Sequence, residues 1–198
     1  MKNNFFLTFL LIFYSSYLNA ENLLIESKKI TIDKNNELSI FEEEVVITTS
    51  EKNIIKSDYA EYNKKKGIIT LKKNIKAIDN KENIIDADFA IYNENFKRLN
   101  SLGPTKITTS ENYVIEGSDI IFDDIKKFIS SEKKTKIIDQ ENNKIFLDNF
   151  EYLTEDYIFK SIGKIKVEDN LNNIYNFSKI YIDTKKKELL GTDIKTYL

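Results

Sequence analysis

Ile55-Lys56-Ser57-Asp58-Tyr59-Ala60-Glu61-Tyr62-Asn63 is followed, thirty residues later, by Ile85-Asp86-Ala87-Asp88-Phe89-Ala90-Ile91-Tyr92-Asn93. Apolar and polar side chains alternate at a spacing of two, the period of a strand rather than a helix. The segments are rich in β-branched and aromatic residues and end on Asn, a turn former. Aligned on this pair, the chain resolves into six units that begin at Ile25, Ile55, Ile85, Ile115, Ile145 and Tyr175, each 30 residues after the last.

Two apolar ladders run through the first half of every unit. One is Ile30, Ala60, Ala90, Ile120, Phe150 and Ile180; the other is Ile32, Tyr62, Tyr92, Phe122, Tyr152 and Ile182. The second halves carry Val45/Ile47, Ile75/Ala77, Thr105/Ile107, Thr135/Ile137 and Ile165/Val167, with the last unit slipped by one residue to Ile194 and Tyr197. Polar turns such as Lys64-Lys65-Lys66-Gly67 and Asn80-Lys81-Glu82-Asn83 separate the halves. Two strands per unit predict an all-β fold of about twelve strands, mostly antiparallel because the turns are short.

The first-strand offsets carry a second message. Apolar residues fall at offsets 0 and 2, then 5 and 7, so the parity flips within the strand. A straight strand would put the two pairs on opposite faces. Facing one interior, they require a bend or bulge near Lys28, Asp58, Asp88, Ser118, Asp148 and Ser178. Repeated in every unit, the bend folds the sheet into a V or flattened tube. The alternative, a sandwich covered on both faces, lacks helices to cover the second face.

Composition narrows the chemistry. The 198 residues contain no His and no Cys, so Cys/His zinc sites, haem or iron–sulfur ligation through these residues and His-based triads are excluded. A net charge of −2 gives no electrostatic reason to expect a nucleic-acid partner. Arg98 is the only Arg, so one chain lacks the bidentate clamps that hold phosphate or carboxylate. Asp123-Asp124 and Glu42-Glu43-Glu44 are the acidic clusters, and their positions suit solvated turn and strand-edge charge better than general acid–base work. No calcium loop appears and no metal site is expected. A parallel β-helix enzyme would need clustered Asp, His or Arg on one face, so no enzyme and no cofactor is expected.

At the N-terminus Met1-Lys2, an apolar run from Phe5 to Tyr14 and a small residue at Ala20 form the layout of a secretory signal peptide, residues 1–20. The run is short of the roughly 20 residues that span a bilayer. Residues 21–198 are then expected to form one extracytoplasmic domain.

The aromatic ladder has two readings. Stacked core rungs of a filled β protein explain it, as does an apolar trough for acyl chains; periodicity does not report a void. Ser27, Ser57, Ala87 and Gly117, with Ala60 and Ala90, leave room at one end, while Leu147, Phe150 and Phe177 crowd the other.

The signal segment with an Ile-x-(Ser/Ala)-Asp-x-Ala-x-Tyr-Asn repeat resembles the OstA-like family of lipopolysaccharide transport. The closing Leu190-Gly191-Thr192-Asp193-Ile194-Lys195 resembles the end of the periplasmic domain of the outer-membrane lipopolysaccharide-assembly proteins (organic solvent tolerance proteins). The resemblance spans Leu23 to Leu198 and lies in the repetition of diffuse motifs. It implies a V-shaped periplasmic β-jellyroll whose interior, here the two ladders, shields lipid A acyl chains. It also implies stacking on other OstA-like components through edge strands, here around Ile25–Ile32 and Leu189–Tyr197. The assembly proteins continue into an outer-membrane barrel and some use cysteines to join it; this sequence ends at Leu198 and has none. A fragment, an early-ending chain and a free-standing bridge component are all open on that basis, and the closing motif points to the first.

Overall fold

The alternation of β-branched and aromatic residues with polar ones yields strands throughout. The computed structural model describes residues 23–197; the expected signal segment lies outside them. The first three units supply β1 (Leu24–Glu26), β2 (Lys29–Asp33), β3 (Leu38–Thr48), β4 (Ile54–Asn63), β5 (Ile68–Ile78), β6 (Ile84–Asn93), β7 (Arg98–Ser101) and β8 (Pro104–Thr108). Then follow β9 (Val114–Ser118), β10 (Ile121–Asp123), β11 (Phe128–Ser131), β12 (Thr135–Ile138), β13 (Lys144–Leu147), β14 (Phe150–Leu153), β15 (Ile158–Glu168), β16 (Ile174–Asp183), β17 (Glu188–Thr192) and β18 (Lys195–Tyr197). Every described pairing is antiparallel, within one sheet of 18 strands. The excess over twelve has one cause: six of the expected strands, such as β7/β8 and β13/β14, are cut in two at the bend.

The parity flip is visible as a bulge. Glu42 pairs with Tyr59 and Val45 with Ser57, so Glu43 and Glu44 stand opposite Asp58 alone. The same two-against-one arrangement sets Lys73 and Asn74 against Asp88, and Gly163 and Lys164 against Ser178. Glu43, Glu44, Lys73 and Asn74 accordingly have positive φ, the local cost of turning a strand sharply. The three glutamates thus lie at a mid-strand bulge and not at a strand start. Hydroxyls serve the backbone groups that the bend leaves unpaired: Ser131 Oγ donates to the Ser118 carbonyl at 2.7 Å and Ser161 Oγ to that of Asn149 at 2.7 Å.

The bend line divides the sheet into two walls. The upper wall holds Ile55, Ile85, Ile115 and Ile145, and the lower wall holds Ala60, Ala90, Ile120 and Phe150; all eight are buried. One interior therefore receives both parities, as a bent sheet requires. The walls also meet at their far tips. Asn53 Nδ2 donates to Asp124 Oδ2 at 3.1 Å, Lys97 pairs with Glu51, Lys81 Nζ donates to the Thr154 carbonyl at 2.9 Å, and Tyr152 donates to Glu111 at 3.0 Å. Each tie joins an upper turn to a lower one two or three units further along. Sheet twist accounts for that stagger. Its consequence is that the first two lower segments and the last upper segments have no opposing wall.

Candidate functional site

Among the described residues the ladders converge on the interior, and it is not uniform. At the centre it is filled. Tyr152, Phe159, Ile69, Leu71, Ile107, Ile129 and Ile137 are essentially inaccessible to solvent. Phe159 stacks on Tyr152 with ring centroids 4.2 Å apart and meets Tyr113 and Phe150 at 6.1 Å. Burial pushes the Tyr152 hydroxyl well above its ordinary pKa despite a bond toward Thr184, and the Glu111 carboxylate that it meets adds to the effect.

Room was expected beside Ser27, Ser57, Ala87 and Gly117, with Ala60 and Ala90. Beside Ala60 and Ala90 there is none, since both are fully buried and Leu71 is the cross-strand partner of each; a void of about 20 Å³ lies nearer the upper turns, lined by Ile55, Ala77, Ile85, Tyr92, Leu99 and Phe122. Small residues let the second-strand side chains Ile69, Leu71 and Ile75 close in, which removes the space.

The space lies at the end expected to be crowded. A cavity of about 550 Å³ opens between the last upper segments and the last lower one, lined by Ile145, Val167, Tyr175, Phe177, Ile182, Leu189 and Ile194, with Asp139, Glu141, Asp169, Lys187 and Glu188 from the adjoining turns among its polar members. That volume is in the range of small-molecule and cofactor sites. Stagger, not side-chain size, makes it: the last upper segments have no lower wall beneath them. Gly191 helps to shape it, because a Cβ there would stand 2.2 Å from the Phe177 ring. The one-residue slip of the last unit is also seen, Tyr175 pairing with Thr196 and Asn176 with Lys195.

At the opposite end the same stagger corrects an expectation. Ile30 and Ile32 continue the ladders but are 52% and 64% exposed, because no upper segment faces them. Tyr62 is half-buried and hydrogen-bonds Glu94 at 2.8 Å. The remaining ladder members, Ala60, Ala90, Tyr92, Ile120, Phe122, Phe150, Tyr152, Ile180 and Ile182, are buried. Ile25 is half-buried and Leu189 is 40% exposed.

The sheet ends where the edge strands were expected. β1 and β2 pair with β3 alone, and β17 and β18 with β16 alone, among the described residues. Each leaves one row of backbone donors and acceptors available to another strand.

The acidic pair is not a solvated turn. Asp123 and Asp124 are buried: Arg98 Nη2 donates to Asp123 at 2.5 Å, while Lys127 and Asn53 hold Asp124 at 2.7 and 3.1 Å. Burial alone would raise the Asp123 pKa, yet the Lys126 N–H and the Arg98 guanidinium outweigh it and hold the carboxyl below its usual range. The pair closes the tips of the walls, a role that turn composition did not indicate. Two further concavities of about 800 and 620 Å³ are lined by Lys76, Lys106, Lys134, Lys166, Asp86 and Glu116 together with Ala87, Gly117, Leu147 and Phe177.

No family model matches the sequence, and no curated protein does. Among solved structures, LptH, the LptA-homologous periplasmic component of the lipopolysaccharide transport device from Pseudomonas aeruginosa, aligns with 90% of this chain and 95% of its own. The identity is 9% and the TM-score 0.26, values at which the likeness says nothing of what this chain binds.

Proposed function

We propose that the protein is a periplasmic module of lipopolysaccharide transport that shelters acyl chains between its two walls and meets further β-jellyroll components, or an outer-membrane barrel, through its edge strands. The mouth of about 550 Å³ at the C-terminal end, with Val167, Phe177, Ile182 and Leu189 on its walls and charged turn residues beside them, carries the reading. An acyl chain placed there removes roughly 0.8 kcal/mol of apolar surface from water per CH₂. Ile30, Ile32 and Tyr62 offer apolar surface at the other end, so cargo enters and leaves at the staggered ends. Passage through the filled centre then requires the walls to part, and the tip ties at Asn53–Asp124 and Glu51–Lys97 are the contacts that must yield.

A filled structural or partner-binding β protein is the second reading, and the solvent-free packing of Tyr152 and Phe159 favours it at the centre. A disulfide staple separates the two, since the chain has no native Cys. Oxidised Asn53→Cys/Asp124→Cys protein is expected to lose transfer of lipopolysaccharide between vesicle-bound partners and to regain it on reduction. Transfer that persists in the stapled protein overturns the conduit.

A further inference from the structure

The lower turns are joined in a row. Glu94 N donates to the Gly67 carbonyl at 2.9 Å and Asn95 Nδ2 to that of Lys66 at 3.2 Å; Asp124 N donates to the Lys97 carbonyl at 3.1 Å. The turns 63–67, 93–97 and 123–127 therefore form one ridge, with neighbours about 10 Å apart because two strands separate them. Phe96 and Ile125 stand on it 64% and 60% exposed, with no core to join. Lys64, Lys65, Lys66 and Lys126 flank them, and none of these makes an ion pair among the described residues. Two of the acids within the ridge are paired, Asp123 with Arg98 and Asp124 with Lys127, while Glu94 accepts from the Tyr62 hydroxyl and keeps its charge. Glu155 and Asp156 on the next turn bound the patch on one side, and Asp33 and Glu37 on the preceding turn, whose Glu37 carbonyl accepts from Lys64 N at 3.2 Å, bound it on the other.

We infer that this ridge docks the protein on an anionic phospholipid surface. Two adjacent apolar side chains at turn tips, ringed by cations, match the apolar and electrostatic parts of interfacial binding. Charge complementarity selects the lipid: Lys64, Lys65 and Lys66, side by side on one exposed turn, favour an anionic interface over a neutral one. The opposite tips provide the contrast, since exposed Leu171 sits among Asn170, Asn172 and Asn173 without lysines.

Co-sedimentation of the full chain with vesicles tests the inference. Phosphatidylcholine vesicles containing phosphatidylglycerol are expected to pellet the protein and pure phosphatidylcholine is not, with binding weakened by salt. Phe96→Ser/Ile125→Ser should weaken it about tenfold, and Lys64→Gln/Lys65→Gln/Lys66→Gln about a hundredfold at low salt. Leu171→Ser should leave it unchanged. All these positions are exposed, so the unfolding midpoint should stay at the wild-type value and serves as the control for folding. Equal pelleting by neutral vesicles, wild-type binding in the Phe96/Ile125 variant, an equal loss in Leu171→Ser, or displacement by inorganic phosphate beyond that by sodium chloride at the same ionic strength would each overturn it. The vesicles contain no lipopolysaccharide, so failure here leaves the conduit reading untouched.

Discussion

Phe159→Ala gauges how solid the centre is. The ring is 1% exposed and packs against three other aromatic rings, one of them stacked at 4.2 Å. Removing such a side chain from a closed core costs about 3–5 kcal/mol through lost transfer energy and the cavity left behind. For a domain of this size each kcal/mol moves the melting midpoint by roughly 2–4 °C, so the loss is about 6–20 °C. Urea unfolding of both proteins measures it, and an unchanged m-value shows that the same surface unfolds. Ile32→Ala, at a ladder position with no opposing wall, should cost less than about 1 kcal/mol. If Phe159→Ala costs no more than Ile32→Ala, the centre is an open trough in solution and the account of a filled middle with accessible ends is wrong.

Gly191→Ala should push the Phe177 ring out of its place at the mouth and destabilise by about 1–3 kcal/mol; wild-type melting would show that the two are not in contact. Glu82 has φ +68 in an exposed turn, so Glu82→Gly should stabilise by up to about 1 kcal/mol in urea, and a loss instead would mean that its side chain works in the turn. Asp123 has a folded pKa below its unfolded value near 4, so its contribution is present above that value and lost as pH falls through the folded pKa. Asp123→Asn should remove about 2 kcal/mol at pH 7 and flatten the decline of stability below about pH 4; an unaltered acid limb would refute the pairing with Arg98.

The bend was legible because strand parity is a hard constraint: offsets 0, 2, 5 and 7 share a face only if the first strand breaks its regular course, and the ladder is interrupted at Asp58 as expected, although the extra residue, Glu43-Glu44 against Asp58, is on the neighbouring strand. Edge strands were legible from the order of the units. The tip ties were not. Asn53–Asp124, Glu51–Lys97, Lys81–Thr154 and Glu111–Tyr152 span 71, 46, 73 and 41 residues, none a multiple of thirty. Self-comparison is blind to contacts that arise from twist between walls. For the same reason Ile30 and Ile32 read as interior although nothing faces them; Ala60 and Ala90 read as space for a different one, since Leu71 on the neighbouring strand of the same wall pairs with both. Side-chain volume along one strand does not reveal what the neighbouring strand or the opposite wall brings.

The most direct test of the conduit is site-specific photo-crosslinking in cells that make lipopolysaccharide. A photoreactive residue at Phe177 or Ile182 in the mouth, or at Tyr62 at the other end, is predicted to capture lipopolysaccharide. The same residue at the outward positions Lys72 and Lys106 is predicted not to. Capture at the outward positions with none at Phe177, Ile182 and Tyr62 would contradict it.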